Sequence, residues 1–167
     1  MTIKELTQTN ASCRAYRKDP IPRGTLLDLC DAARFAPNAF NAQPWHFYLA
    51  DGVRAKAVAK LFPNDWAAQC PAFIAIAVPA ATTVVSGRVH DFNAVDAGVA
   101  AAHLCLAAGE RGLASCILGS VDEDAFCALA HVPSGMRVRA VVAVGYPAVC
   151  TSGPKDRKPL GDCTTFL

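Results

Sequence analysis

The period of the hydrophobic positions changes several times along the chain, and each change marks an element. Ile3–Thr9 reads as a short helix, and residues 10–18, NASCRAYRK, as an extended polar loop with Arg14 and Arg17 about Tyr16. Pro22 suits a first helical turn. Leu26, Leu27, Cys30, Ala33 and Phe35 supply that helix with an apolar face, and Pro37 stops it. After a turn through Asn38–Pro44 comes a strand over Trp45–Ala50, then a small helix over Val53–Leu61.

The run Ala72–Val78, AFIAIAV, is apolar without interruption between Pro71 and Pro79, the pattern of a central strand. A long apolar helix extends from Phe92 to Arg111, with Gly112 in the position that commonly ends a helix. A strand over Ala114–Leu118, a helix from Asp122 and a last strand over Val138–Val144 follow, before Gly145-Tyr146-Pro147. Residues 148–167 have no core-forming pattern, and as an extended arm they must lie along their own subunit or a partner. Helices and strands interleave, and the first strand follows the first helices. The expectation is an α+β fold in one domain, residues 1–167, with helices on both faces of a sheet. No early strand–GxGxxG–helix unit is present, so a nicotinamide nucleotide would not be bound in the Rossmann manner.

Composition adds an oligomer. The chain is 53% hydrophobic and 18% charged over 167 residues, and an apolar excess on a small protein implies surface buried in a partner. A net charge of +2, with no basic run among aromatics, points away from nucleic acid. The eight cysteines (13, 30, 70, 105, 116, 127, 150 and 163) form no CxxC pair, and the N-terminus lacks an apolar signal core. They read as reduced, buried small hydrophobes of a cytoplasmic protein. Val95–Ala108 is apolar nearly all round, yet shorter than a bilayer span and interrupted by Asp96 and His103, so a buried helix is expected rather than a membrane anchor. Asp96 is expected to cap or stabilise the start of that helix. The four histidines do not cluster, and no metal site is expected.

Three places carry candidate chemistry. In Asn38-Ala39-Phe40-Asn41-Ala42-Gln43-Pro44-Trp45, alternation in an extended segment would send the Asn41 and Gln43 amides to one side. Amides both donate and accept, as a flavin's pyrimidine edge and ribityl hydroxyls require; an ordinary polar turn is the other reading. Ser12 and Arg14 near one end of the chain, with Lys155 and Arg157 near the other, could hold a dianionic phosphate, or be solvated surface charge. At the end of a buried strand, Leu118-Gly119 could bring backbone N–H groups close to a planar ligand.

In this order and spacing the pieces resemble the nitroreductase family of FMN-dependent oxidoreductases. Ser12-Cys13-Arg14-Ala15-Tyr16 is similar to its R-S-x-R-x-F/Y phosphate loop, and Ala36-Pro37-Asn38 through Asn41, Gln43-Pro44-Trp45 to its A-P-S-x-x-N-x-Q-P-W motif. Asp96-Ala97-Gly98 resembles the start of its central helix, and Pro154-Lys155-Asp156-Arg157-Lys158-Pro159-Leu160 its basic tail. The resemblance implies a mixed central sheet flanked by helices in a domain-swapped homodimer, with two FMN sites at the interface. Ser12, Lys155 and Arg157 would hold the phosphate, joined by Cys13 in the same loop, with Arg14 near the phosphate or the flavin N1–O2 edge. Pro37, Asn38, Ala39 and Asn41 would come from the other subunit, with Gln43 at the ring edge or behind it, and Leu118 and Gly119 would donate to flavin N5 and O4. It also implies ping-pong hydride transfer from NAD(P)H through flavin N5 to a small acceptor such as a nitroaromatic or quinone. Relatives with this fold reduce enones or flavins, dehalogenate or fragment flavin, and a flavin-sensing module is a further alternative. Asn10 stands where the family has an arginine, Asn38 where it has serine, and Ala102-His103 where it has Gln-Asn. With few residues between Leu61 and Phe92, an open, unselective substrate face without a long lid is expected.

Overall fold

The computed structural model describes residues 2–149 and 155–167. Cys150 and Pro154 lie outside the described residues. The elements, in chain order, are α1 (Ile3–Thr9), α2 (Arg23–Arg34), β1 (His46–Asp51), α3 (Gly52–Ala59), β2 (Ala72–Pro79), β3 (Thr83–Val85), β4 (Arg88–His90), α4 (Phe92–Glu110), β5 (Ala114–Leu118), α5 (Glu123–Ala130) and β6 (Met136–Gly145). The four long strands pair in the order β1-β2-β6-β5, every pair antiparallel. A parallel bridge from Ser12 to Ser115 on the outer edge of β5 makes the sheet mixed.

Period-two alternation divides the core into two halves. Ile74, Ile76 and Val78 of β2, with Val142 and Val144 of β6, face α2 and α4. Phe73, Ala75 and Ala77, with Val141 and Ala143, face α3 and α5. Both faces of β2 are therefore covered, which is why its sequence is apolar without alternation. A bulge sets Arg139 of β6 outside the register between Ile76 and Ala77. The freed guanidinium reaches Asp91 at 2.7 Å, and Asp91 in turn caps α4 by accepting the Ala94 N–H at 3.0 Å.

Several expectations need correction. On α2 the buried stripe is Leu26, Leu29, Cys30 and Ala33, whereas Leu27 and Phe35 are 60% and 68% exposed. At 3.6 residues per turn, 26, 29/30 and 33 share one face and 27 does not. α4 is 19 residues long and, by length and composition, apolar enough to cross a membrane, so shortness does not exclude a span. It is the burial of Ala97, Ala100, Ala101, Leu104 and Ala108 beneath the sheet that makes it a core helix. The hairpin β3–β4 was not expected. Its turn residues Ser86 and Gly87 both have positive φ, 50° and 74°, as a two-residue type I′ loop requires.

Candidate functional site

The phosphate-loop candidate runs along the open edge of β5. The Cys13 N–H donates to the Ser115 carbonyl at 2.9 Å, and the Arg17 N–H to that of Tyr146 at 2.9 Å. Extended pairing alternates the side chains, so Ser12 and Arg14 are exposed while Cys13 and Tyr16 are buried. The Tyr16 hydroxyl donates to the Cys13 carbonyl at 2.8 Å, and burial drives its pKa far above the ordinary tyrosine value. Tyr16 fits because residue 145 is glycine; a Cβ there would lie 2.7 Å from both Pro71 Cδ and Tyr16 Cδ1. Cys13 is thereby removed from the expected contacts, since its side chain is in the core and its N–H and carbonyl are both engaged. Burial raises the Cys116 thiol's pKa, partly offset by the Ser12 side chain and the charge of Arg14.

Leu118 is corrected as well. Ser115 turns its carbonyl to the outer edge, so antiparallel alternation makes Leu118 and Val141 a hydrogen-bonded pair. The Leu118 N–H therefore points into the ladder. Gly119, the first residue beyond the strand and exposed, retains its backbone for a ligand.

The amide-rich turn is coiled rather than extended. Residues 39–41 form a 3₁₀ turn, and Phe40, Asn41 and Gln43 all have positive φ, 57°, 53° and 48°. Alternation thus does not bring the Asn41 and Gln43 amides together, although both residues are exposed. Asn38 holds the turn from inside: its Oδ1 accepts the Gln43 N–H at 2.9 Å and its Nδ2 donates to the Ala36 carbonyl at 3.3 Å. Ala39 is likewise engaged, its N–H donating to Asp96 at 3.1 Å. Asp96 therefore does not cap α4, a role Asp91 fills; it reaches sideways to the turn. Phe40 is 76% exposed and meets Phe92 edge-on at 5.7 Å, and Phe92 stacks on His90 at 4.9 Å. Sequence reasoning missed this aromatic ladder, because its members come from the turn, the helix and the hairpin.

The described tail returns to the start of the chain. Lys155 Nζ donates to the Thr7 carbonyl in the last turn of α1 at 2.8 Å, and Arg157 to the neighbouring Asp156 carbonyl at 2.6 Å. Asn10, in place of the family's arginine, is the C-cap of α1. Among the described residues no hydrogen bond or ion pair joins Lys155 or Arg157 to Ser12 or Arg14, and none joins either group to the turn.

Residues 9–62 and 51–146 match the sequence profile of the nitroreductase family. A relative from Archaeoglobus fulgidus, provisionally named NADH dehydrogenase/NAD(P)H nitroreductase, is 29% identical over 148 residues, covering 86% of this chain and 84% of its own length. A Thermus thermophilus protein named NADH dehydrogenase is 26% identical over 181 residues, covering 89% and 88%. The solved structure of an oxidoreductase containing FMN superposes with a TM-score of 0.85 at 25% identity, covering 99% of this chain and 91% of that one.

Proposed function

The chain belongs to the nitroreductase family and is an oxidoreductase, and from that premise we propose that it works as a homodimer binding FMN at the subunit interface. It would move reducing equivalents from NAD(P)H to a small acceptor, a nitroaromatic or quinone. The observation that carries the reading is the exposed pair Ser12 and Arg14 on the outer edge of β5, the strand that ends just before Gly119. A hydroxyl, a guanidinium and the Gly119 backbone suit a phosphate and the polar rim of a planar ring. The Lys155 ammonium, brought back to α1, and Arg157 add positive charge from the tail.

FMN, when bound, supplies the hydride-accepting and hydride-donating chemistry, and the protein orients it. Ser12, Arg14, Lys155 and Arg157 would hold the phosphate. Arg14 would then sit where its charge also favours an anionic reduced ring. The turn, with Pro37 and Asn41, would arrive from the partner subunit, as the family resemblance implies. The hairpin β3–β4 stands beside that turn, whose own Phe40 is exposed, so the acceptor face would be less bare than the short 61–92 segment suggests.

Two observations support the dimer. Val95, Gly98, Val99, Ala102 and Leu106 form an i, i+3, i+4 stripe along α4 that is exposed or half-buried in one copy. The accessible area is 10030 Å², whereas the scaling of area with mass gives about 7,900 Å² for a compact monomer of this size. An excess on the order of 2,000 Å² fits an arm and a helix face that a second copy covers. The seven described cysteines are all unpaired and five are buried, in keeping with a reducing, cytoplasmic setting for a single domain. The test is FMN titration by flavin fluorescence of wild type and of Lys155→Ala/Arg157→Ala. The double variant should lose about tenfold or more in affinity; undiminished retention would contradict the phosphate assignment.

A further inference from the structure

Asp96 is the one fully buried acid among the described residues, 4% exposed. Burying a carboxylate is costly unless a specific partner compensates it. Both of its oxygens face the Ala39 N–H, at 3.1 and 3.3 Å. Ala39 opens the 3₁₀ turn, and the strained residues follow it at once: Phe40, Asn41 and Gln43, all at positive φ. A non-glycine residue held there costs on the order of 1 kcal/mol or more, so the turn would relax without restraint. Asn38 restrains it from within and Asp96 from the adjoining helix. A charge-assisted bond of this kind is about twice as strong as a neutral one.

We propose that Asp96 is a positioning residue, whose carboxylate locks the strained turn so that Asn41 and Gln43 are presented to the flavin before it binds. This rests on the FMN reading above. Asp96→Asn keeps an acceptor, while Asp96→Leu keeps the branched shape and loses it, which separates a hydrogen-bonding role from packing. Ala39→Pro tests the same bond from the donor side, at a turn-opening position where proline is tolerated, and serves if Asp96→Leu does not fold.

Two readouts are needed: hydrogen exchange of the Ala39 amide in the cofactor-free protein, and the FMN dissociation constant. In Asp96→Leu the Ala39 amide should exchange faster and the FMN dissociation constant rise about tenfold or more. Asp96→Asn should stay within about threefold of wild type, and Ala39→Pro should weaken FMN binding as Asp96→Leu does. Equal impairment of Asp96→Asn and Asp96→Leu would overturn the proposal, as would faster Ala39 exchange with unchanged FMN affinity. A wild-type protein that takes up no FMN would instead overturn the cofactor reading on which the proposal stands.

Discussion

Replacing Gly145 by alanine tests how the phosphate segment is seated. Its added Cβ would stand 2.7 Å from Pro71 Cδ and from Tyr16 Cδ1, and 3.0 Å from Pro71 Cγ. Carbon atoms rest at about 3.5–4.0 Å, so each neighbour must retreat by roughly 1 Å. Neither gives way easily: the proline ring is rigid, and Tyr16 is buried with its hydroxyl bonded to the Cys13 carbonyl. Overpacking of this kind costs about 1–3 kcal/mol. For a domain of this length each kcal/mol lowers Tm by about 2–4 °C, so a drop of about 2–12 °C is expected in thermal denaturation followed by circular dichroism. Displacing Tyr16 also disturbs Cys13, and through it Ser12 and Arg14, so FMN should be retained less well. In a Tyr16→Ala background the same substitution should cost less, because one of the two obstacles is gone. An unchanged or higher Tm for Gly145→Ala, or full additivity in the double variant, would refute the reasoning.

Two further outcomes follow from the same structure. Ala102→Arg, on the exposed stripe of α4, should convert a two-copy species to a monomer in analytical ultracentrifugation; an unaltered dimer would put the interface elsewhere. At pH 8 a thiol reagent should label exposed Cys163 rapidly and leave Cys70 and Cys30 unmodified until unfolding, since burial pushes their thiols up to about 12 and about 11. Fast native-state labelling of Cys70 would contradict the packing around Tyr16.

Where local pattern and tertiary environment agree, the sequence was legible. The unbroken AFIAIAV run named β2 as the strand covered on both faces, and the polar 10–18 segment was extended as its composition suggested. The hairpin was missed although a signal was present: Thr-Val-Val and Arg-Val-His flank Ser86-Gly87, a turn dipeptide. What could not be read is whatever depends on a second element. Cys13 points inward because β5 pairs with its backbone, and Leu118 loses its N–H to β6. Asp96 looks like a helix-start acid until the turn is seen lying across it. Positive φ at Phe40 and Gln43 has no sequence signal, for neither residue type favours it; only Asn41 does.

The central claim is that this chain carries FMN and accepts electrons from a nicotinamide nucleotide. The visible spectrum of the purified or FMN-reconstituted protein, before and after anaerobic NADH and NADPH, tests it most directly. The account predicts a flavin spectrum that bleaches with at least one nucleotide and returns when a quinone or nitroaromatic is added. A protein that stays colourless after incubation with FMN would contradict the cofactor assignment, and bound FMN that neither nucleotide bleaches would contradict the reductase.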